Sequence, residues 1–174
     1  MKPMKLVVFS SDLGWMAAAA QGDVLCQLTF GHPSPDKAVQ AMHCVDSHVT
    51  DPAGFLSKLS RRLQNFCREP TDDFHDVELD LERFTDFQRA VVQGCRNILA
   101  GTTLTYGELA QTSGRPGAAR AVGRVMATNR FPIVVPCHRV VGANGSLGGF
   151  SAPDGLNMKR RLLALEAECS PCTA

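Results

Sequence analysis

Thr105-Tyr106-Gly107-Glu108-Leu109-Ala110-Gln111-Thr112-Ser113-Gly114-Arg115-Pro116-Gly117-Ala118-Ala119-Arg120-Ala121-Val122-Gly123-Arg124-Val125-Met126-Ala127 is the stretch on which the fold turns. Thr105 through Glu108 has the form of a capped helix start, and Tyr106 to Thr112 is long enough for two turns. Ser113 to Gly117 is a turn, with Pro116 at the expected first position of the next helix. Ala118 to Ala127 follows as a helix of small residues and arginines. Two short helices joined by a glycine-containing turn make a helix-turn-helix, whose second helix, carrying Arg120 and Arg124, is the one that enters a nucleic-acid groove. Gly117, Ala118, Ala119, Ala121 and Gly123 permit close approach to a backbone. A plain helical hairpin packed in a core has the same pattern, and these residues alone leave both readings open.

Downstream of Asn129 the chain is expected to run extended through Ile133-Val134-Val135-Pro136-Cys137-His138-Arg139-Val140-Val141, an apolar, β-branched run interrupted by a thiol, an imidazole and a guanidinium. Burying such groups costs free energy unless they are partnered. A thiol acts as a nucleophile only as thiolate, so Cys137 beside His138 is a candidate nucleophile and base. The alternative is an inert buried cysteine next to a surface His-Arg pair. Asn144-Gly145 signals a hairpin turn, and Gly148-Gly149-Phe150-Ser151 is a stretch whose backbone could approach a ligand closely. A last helix opens near Asp154, with Leu156, Leu162, Leu163 and Leu165 as its apolar residues and Glu166 near its end.

Upstream, Thr85 is the expected N-cap of a helix that runs to about Leu99 and stops at Gly101. Before that the character changes, and the chain divides near residue 83. Lys5 to Ser10, Trp15 to Ala20 and Val24 to Phe30 read as three short strands separated by Asp12, Gly14, Gly22 and Asp23, a small antiparallel meander. Gly31 to Pro35 is a loop, Ala53 to Arg68 a helix and Asp76 to Leu81 a half-exposed strand. The expected architecture is α+β, with a domain over 1–83 and a mostly helical one over 84–174.

The whole chain has 174 residues and a formal net charge of +1. Residues 1–99 hold 10 Lys and Arg against 13 Asp and Glu; residues 100–174 hold 8 against 4. The positive half suits a polyanion on one face, although an ordinary solvated surface has the same balance. No apolar run approaches the ~18 residues needed to cross a bilayer, and Trp15 to Ala20 is too short for a signal peptide. Seven cysteines at irregular spacing argue for reduced thiols rather than a disulfide framework. These features predict a cytoplasmic protein without a membrane partner.

Taken together, Thr105 to Ala110, Arg115 to Gly123, Asn129, Pro132, Val135-Pro136-Cys137-His138-Arg139-Val140-Val141-Gly142, Gly145, Gly148-Gly149-Phe150, Leu162-Leu163 and Glu166 resemble the C-terminal domain of the O6-alkylguanine-DNA alkyltransferases, also called methylated-DNA–protein-cysteine methyltransferases. The motifs cover about half the chain. The resemblance implies a ribonuclease H-like N-terminal domain and a winged-helix-like C-terminal one. It implies direct damage reversal, in which Cys137 takes the alkyl group from O6 of guanine, and also from O4 of thymine, once and irreversibly. His138 would act as base through a water, oriented by Glu166. Asn129 would brace the hinge, and Tyr106 would donate to the departing guanine. Met126, Pro132 and Phe150 would line the pocket; the Ser151 amide would donate to O6; the carbonyls of Cys137 and Val140 would select guanine. Arg120 would fill the gap left by a base flipped through the minor groove, on a helix face that also carries Ala119, Ala121 and Gly123, with Arg115 and Arg124 nearby. The implied partner is double-stranded DNA, bound by a monomer, with no cofactor, in the cytoplasm and on the nucleoid.

Some residues depart from the family pattern. Phe150 stands where some relatives have tyrosine, and Ala152-Pro153-Asp154 lengthens the loop after Ser151. His43-Cys44 with His48 lacks a complete zinc-ligand set, so no metal is expected. Cys169 and Cys172 form a Cys-x-x-Cys at the C-terminus, read as a frayed tail rather than a redox pair. Other readings are a non-enzymatic binder of alkylated DNA, against which Cys137 speaks; a transcriptional regulator, for whose added domains the chain is expected to have no room; and a cysteine hydrolase, which leaves the Arg120 helix unexplained.

Overall fold

The computed structural model describes residues 3–43 and 54–169. The chain forms two compact units, Met1–Asp80 with Arg130–Pro132, and Leu81–Asn129 with Ile133–Ala174.

The first unit is built on β1 (Met4–Ser11), β2 (Gly14–Gln21) and β3 (Val24–His32), the expected antiparallel meander. Gly22, at φ +65°, supplies the left-handed conformation that the tight turn between β2 and β3 requires. Every residue from Met16 to Ala20 is buried, so both faces of the central strand are covered. The helices α1 (Pro35–Gln40) and α2 (Phe55–Phe66) pack on β1 and β2. Ala17 and Ala19 meet Ala38 of α1, and α2 buries Leu56, Leu59, Leu63 and Phe66 at helical spacing. The helix α1 extends the expected loop. It has six residues and little apolar periodicity, and its signals are local: Pro35 at the first turn, and Ser34 accepting from the Lys37 amide. The strand expected over Asp76 to Leu81 shrinks to β4 (Glu78–Leu79), parallel to Val24–Leu25. Turns on either side cut it short, with Phe74 at φ +53° before it and the Phe84 amide bonded to the Leu81 carbonyl after it. The Arg130 carbonyl accepts from the Leu28 amide, which joins residues 130–132 to this unit.

The second unit starts with α3 (Asp86–Arg96), held at its start by a reciprocal capping box between Thr85 and Gln88. The helix ends three residues before Leu99, because the chain turns at Asn97 and the Ile98 carbonyl is taken by the Arg139 guanidinium (2.6 Å). Leu99 is left 73% exposed. A short strand β5 (Leu104–Thr105) leads into α4 (Tyr106–Thr112), again through a capping box. The Thr105 hydroxyl accepts from the Glu108 amide (3.1 Å), and the Glu108 carboxylate accepts from the Thr105 amide (2.7 Å). Next comes α5 (Ala119–Ala127), which begins later than Pro116 suggested: Gly117 sits at φ +84°, outside helical space, and Ala118 is the cap. The helices α3, α4 and α5 pack on one another.

The run from Ile133 to Val141 is not the extended strand expected from its composition. Cys137–Arg139 is one turn of 3₁₀ helix, and only β6 (Val140–Val141) is strand, parallel to β5. Pro136 brings no amide to a ladder, and the amides of Cys137 and Arg139 bond back to Val135 and Pro136. The Asn144-Gly145 turn forms, with Gly145 at φ +75°, but β6 pairs with β5 and no hairpin results. The last helix, α6 (Gly155–Cys169), buries Met158, Lys159, Leu162 and Glu166, while Leu156 is exposed. The leucine pattern misplaced this face because two of its four inward residues are charged.

The Thr105 cap sets where α4 begins and therefore where Tyr106 stands. Thr105→Ala is expected to lower unfolding stability by about 1 kcal/mol, read from the urea midpoint at unchanged m-value.

Candidate active site

The second unit contains a cavity of ≈ 480 Å³ lined by Tyr106, Gly123, Met126, Ala127, Cys137, Gly148, Gly149, Phe150 and Ser151. Four segments build it. The first turn of α4 supplies Tyr106, α5 supplies the small and flexible residues, the 3₁₀ turn supplies the thiol, and the glycine loop supplies a wall. A Cβ at Gly148 would lie 2.8 Å from the Tyr106 hydroxyl oxygen, so the phenol rests against bare backbone. The Ser151 hydroxyl donates to the Ala127 carbonyl (2.9 Å), which pins that wall to the end of α5.

The approach to Cys137 is strained. Ile133 has φ +72°, a conformation that a β-branched residue rarely adopts, and strain of this kind persists only where its surroundings hold it. Asn129 is one of those holders: its amide donates to the Val135 carbonyl (2.9 Å). Burial pushes the Cys137 thiol up, partly offset by the Asn129 side chain and the Lys159 charge. Cys137 is therefore a thiol at rest and needs a base to become a nucleophile.

His138 is fully buried, and its Nε2 lies 2.7 Å from Glu166 Oε1. A carboxylate only accepts, so Nε2 carries the hydrogen. Burial lowers the imidazole pKa, against the opposing pull of Glu166. The lowered pKa favours the neutral ring, and Nδ1 has no hydrogen-bond partner among the described residues. Burial alone would raise the Glu166 pKa, but the hydrogen bonds from His138 and Arg139 hold it down at about 2. Arg139 donates from Nε to both carboxylate oxygens (3.1 and 3.0 Å) and from a terminal nitrogen to Oε1 (2.7 Å). The Gly101 amide donates to the other oxygen (3.3 Å).

Of the residues singled out from sequence, Cys137, Tyr106, Met126, Gly123, Phe150 and Ser151 meet at the cavity, with His138, Glu166 and Asn129 behind it. Val140 is buried outside the lining, and its carbonyl accepts from Lys159 Nζ (2.6 Å). Pro132 belongs to the first unit. Arg120 and Arg124 are exposed on α5, where Ala119 and Ala121 are partly buried. Arg115 stacks on the Phe87 ring at 4.9 Å. Sequence reasoning gave no role to Arg139 or Lys159. Lys159 is fully buried, donates to the Val140 and Leu147 carbonyls, and stands 5.9 Å from the Phe150 ring centre. The only signal for it was a lysine on the apolar face of α6. Cys44, His48 and Cys172 lie outside the described residues; among those described, no group of three or more His, Cys, Asp or Glu could hold a metal.

These features define a class of protein with a buried thiol in a cavity, an imidazole held by a carboxylate, and two short helices that supply part of the cavity lining. Comparison with known proteins is consistent with that class. Residues 86–168 match the 6-O-methylguanine DNA methyltransferase, DNA binding domain. A methylated-DNA–protein-cysteine methyltransferase of Mycobacterium tuberculosis (strain ATCC 25618 / H37Rv) is 41% identical over 162 residues, 92% of this chain and 91% of that one. Another, from Methanosarcina acetivorans, is 37% identical over 166 residues, 95% of this chain and 100% of its own. The crystal structure of M. tuberculosis OGT in complex with DNA superposes with a TM-score of 0.76 at 36% identity, covering 97% of this chain and 96% of that one. The chain belongs to the methylated-DNA–protein-cysteine methyltransferase family.

The buried His138–Glu166 pair makes the fold acid-sensitive in two windows. Both groups have lowered pKa values in the folded state, so the unfolded chain takes up protons first as pH falls. Stability is expected to decline as pH drops through the ordinary histidine value of 6.5, and again between the ordinary glutamate value of 4.5 and about 2. The Glu166 contribution amounts to about 3 kcal/mol at ~1.4 kcal/mol per pH unit. Urea unfolding across pH checks this, and His138→Gln should shrink the upper window to the part due to His32, whose pKa burial also lowers.

Proposed function

We propose that this protein repairs alkylated DNA by moving the alkyl group from O6 of guanine, and from O4 of thymine, onto Cys137, once per molecule. The observation that carries the reading is Cys137 lining a cavity of ≈ 480 Å³, with the next residue, His138, buried and 2.7 Å from the Glu166 carboxylate. The names of its relatives support the same chemistry.

His138 Nδ1 takes the Cys137 proton through a water, and Glu166 steadies the imidazolium that forms. The thiolate sulfur forms a bond to the alkyl carbon while the carbon–O6 bond breaks, and the electron pair stays on the guanine. Tyr106 passes its phenol proton to the guanine as negative charge develops there, and the phenolate is reprotonated from the imidazolium by way of solvent, so the proton lost at the thiol is balanced by the one gained at the base. The Ser151 amide donates to O6, and the Cys137 and Val140 carbonyls accept from the guanine amine. Met126 and Phe150, which line the cavity, border the base and the alkyl group. The thioether has no route back, which makes the protein stoichiometric.

The reacting atom is out of reach inside a stacked duplex, so the base must flip, at a cost of a few kcal/mol. We assign α4 and α5 as the helix-turn-helix of a winged-helix-like domain over 84–174, with a ribonuclease H-like domain over 1–83. On this reading α5 lies in the minor groove, with Ala119, Ala121 and Gly123 close to the backbone. Arg120 fills the gap left by the base, and Arg124 and Arg115 lie towards the phosphates. Its partner is double-stranded DNA, which it binds as a monomer in the cytoplasm. Among the described residues no helix is long and apolar enough to cross a membrane.

Mixing the protein with a duplex containing one O6-methylguanine should place a single methyl on Cys137 by intact and peptide mass spectrometry, with repair equal to the protein added. Cys137→Ser should lose the transfer and keep lesion binding; full transfer by that variant would refute the assignment. Arg120→Ala should slow repair in duplex DNA by about tenfold, equivalent to about 1.4 kcal/mol, and leave reaction with free O6-benzylguanine nearly unchanged. Equal losses on both substrates would remove its flipping role.

A further inference from the structure

The Arg139 side chain is buried, at 6% exposure, and it is absent from the cavity lining. Its hydrogen bonds form a fork onto both Glu166 oxygens and run to the Ile98 carbonyl. We propose that Arg139 is a positioning residue that takes up the charge of Glu166, so that His138 stays neutral and able to accept the Cys137 proton. This rests on the reading of His138 as the base for Cys137.

The argument is one of charge in a dry site. His138 and Glu166 alone would form a buried pair with net charge −1. Such a pair draws a proton, because imidazolium with carboxylate is neutral and a lone buried carboxylate is not. A doubly protonated ring has no lone pair left for the thiol. With Arg139 present, the cluster is already neutral when His138 is neutral, and a further proton would leave an uncompensated buried cation. The fork suits this role because a guanidinium stays charged at every relevant pH and matches a carboxylate in geometry.

The surrounding groups act in known senses. Burial lowers the His138 pKa most, Glu166 raises it, and Arg139 and Lys159 lower it. Glu166 and Lys159 come from α6, and Cys137 and Arg139 from the 3₁₀ turn. Cys95 of α3 interacts with Cys137, Arg139 and Lys159, and Tyr106 of α4 with Cys137. Lys159 bonds to two carbonyls away from Glu166, so it cannot replace the fork.

The test is a histidine ¹⁵N NMR titration of the full chain from about pH 5 to about 8.5, with His138 assigned through His138→Gln. It is paired with the rate of Cys137 alkylation by O6-benzylguanine across the same range. Wild-type His138 should be the neutral Nε2–H tautomer at neutral pH; imidazolium there overturns the proposal. In Arg139→Gln the His138 midpoint should rise by at least about one pH unit. Alkylation on the acid side should then fall about tenfold and recover as pH rises. Arg139→Lys keeps the charge and should hold the midpoint near that of the wild type. An unmoved midpoint in Arg139→Gln, or equal movement in both variants, overturns the proposal. Should Arg139→Gln fail to fold, Arg139→Lys decides: a wild-type-like midpoint sustains the role, and a rise of about one pH unit ends it. Absence of any wild-type adduct on Cys137 would instead defeat the alkyl-transfer reading, and the imidazole titration would still report on Arg139.

Discussion

A carboxylate with 1% of its surface exposed is the constraint around which the second unit is arranged. Isolated, Glu166 would cost several kcal/mol to bury. Its oxygens are met by the His138 ring, the Arg139 fork and the Gly101 amide. Those donors come from two places far apart in sequence, the turn after α3 and the 3₁₀ turn, while the acceptor stands on α6. One ionised group therefore joins three segments, and the Arg139 bond to Ile98 closes the link between two of them. Removing one partner would leave the others charged or unsatisfied in a dry interior, so the network holds as a unit.

The same network connects fold to chemistry. Glu166 fixes the tautomer of His138, and that tautomer leaves Nδ1 an acceptor with no partner among the described residues. On the other side, the left-handed Ile133 and the Asn129 bond to Val135 turn the chain so that Cys137 opens a single 3₁₀ turn at the cavity. An extended strand would send alternate side chains to opposite faces. The tight turn instead sets the Cys137 thiol at the cavity, while the next residue, His138, is fully buried and bonded to Glu166. Lys159 performs a parallel service for the far wall, since its ammonium holds the Val140 and Leu147 carbonyls that flank the glycine loop.

Local signals were read well where they are local in origin. The meander came from glycine and aspartate turns between β-rich runs, and the starts of α3 and α4 from threonine caps with Gln88 and Glu108 three residues on. Reading failed where distant contacts decide. The helix α3 stops early at a carbonyl claimed by Arg139, 41 residues further along the chain. The buried face of α6 contains Lys159 and Glu166, which no leucine count marks.

The sequence by itself determined the chemical inventory: a cysteine and histidine in one apolar motif, two short helices with arginines and small residues, and a distant glutamate. Such features depend on residue type and spacing along the chain, which sequence records directly. Only the tertiary structure decided that Cys137 opens a 3₁₀ turn, that His138 is buried with Nε2 bonded to Glu166, and that Arg139 and Lys159 are buried. The physical reason is that burial and pairing set both protonation and backbone course. They arise between Ile98, Gly101, Arg139, Lys159 and Glu166, residues that meet only when the chain has folded.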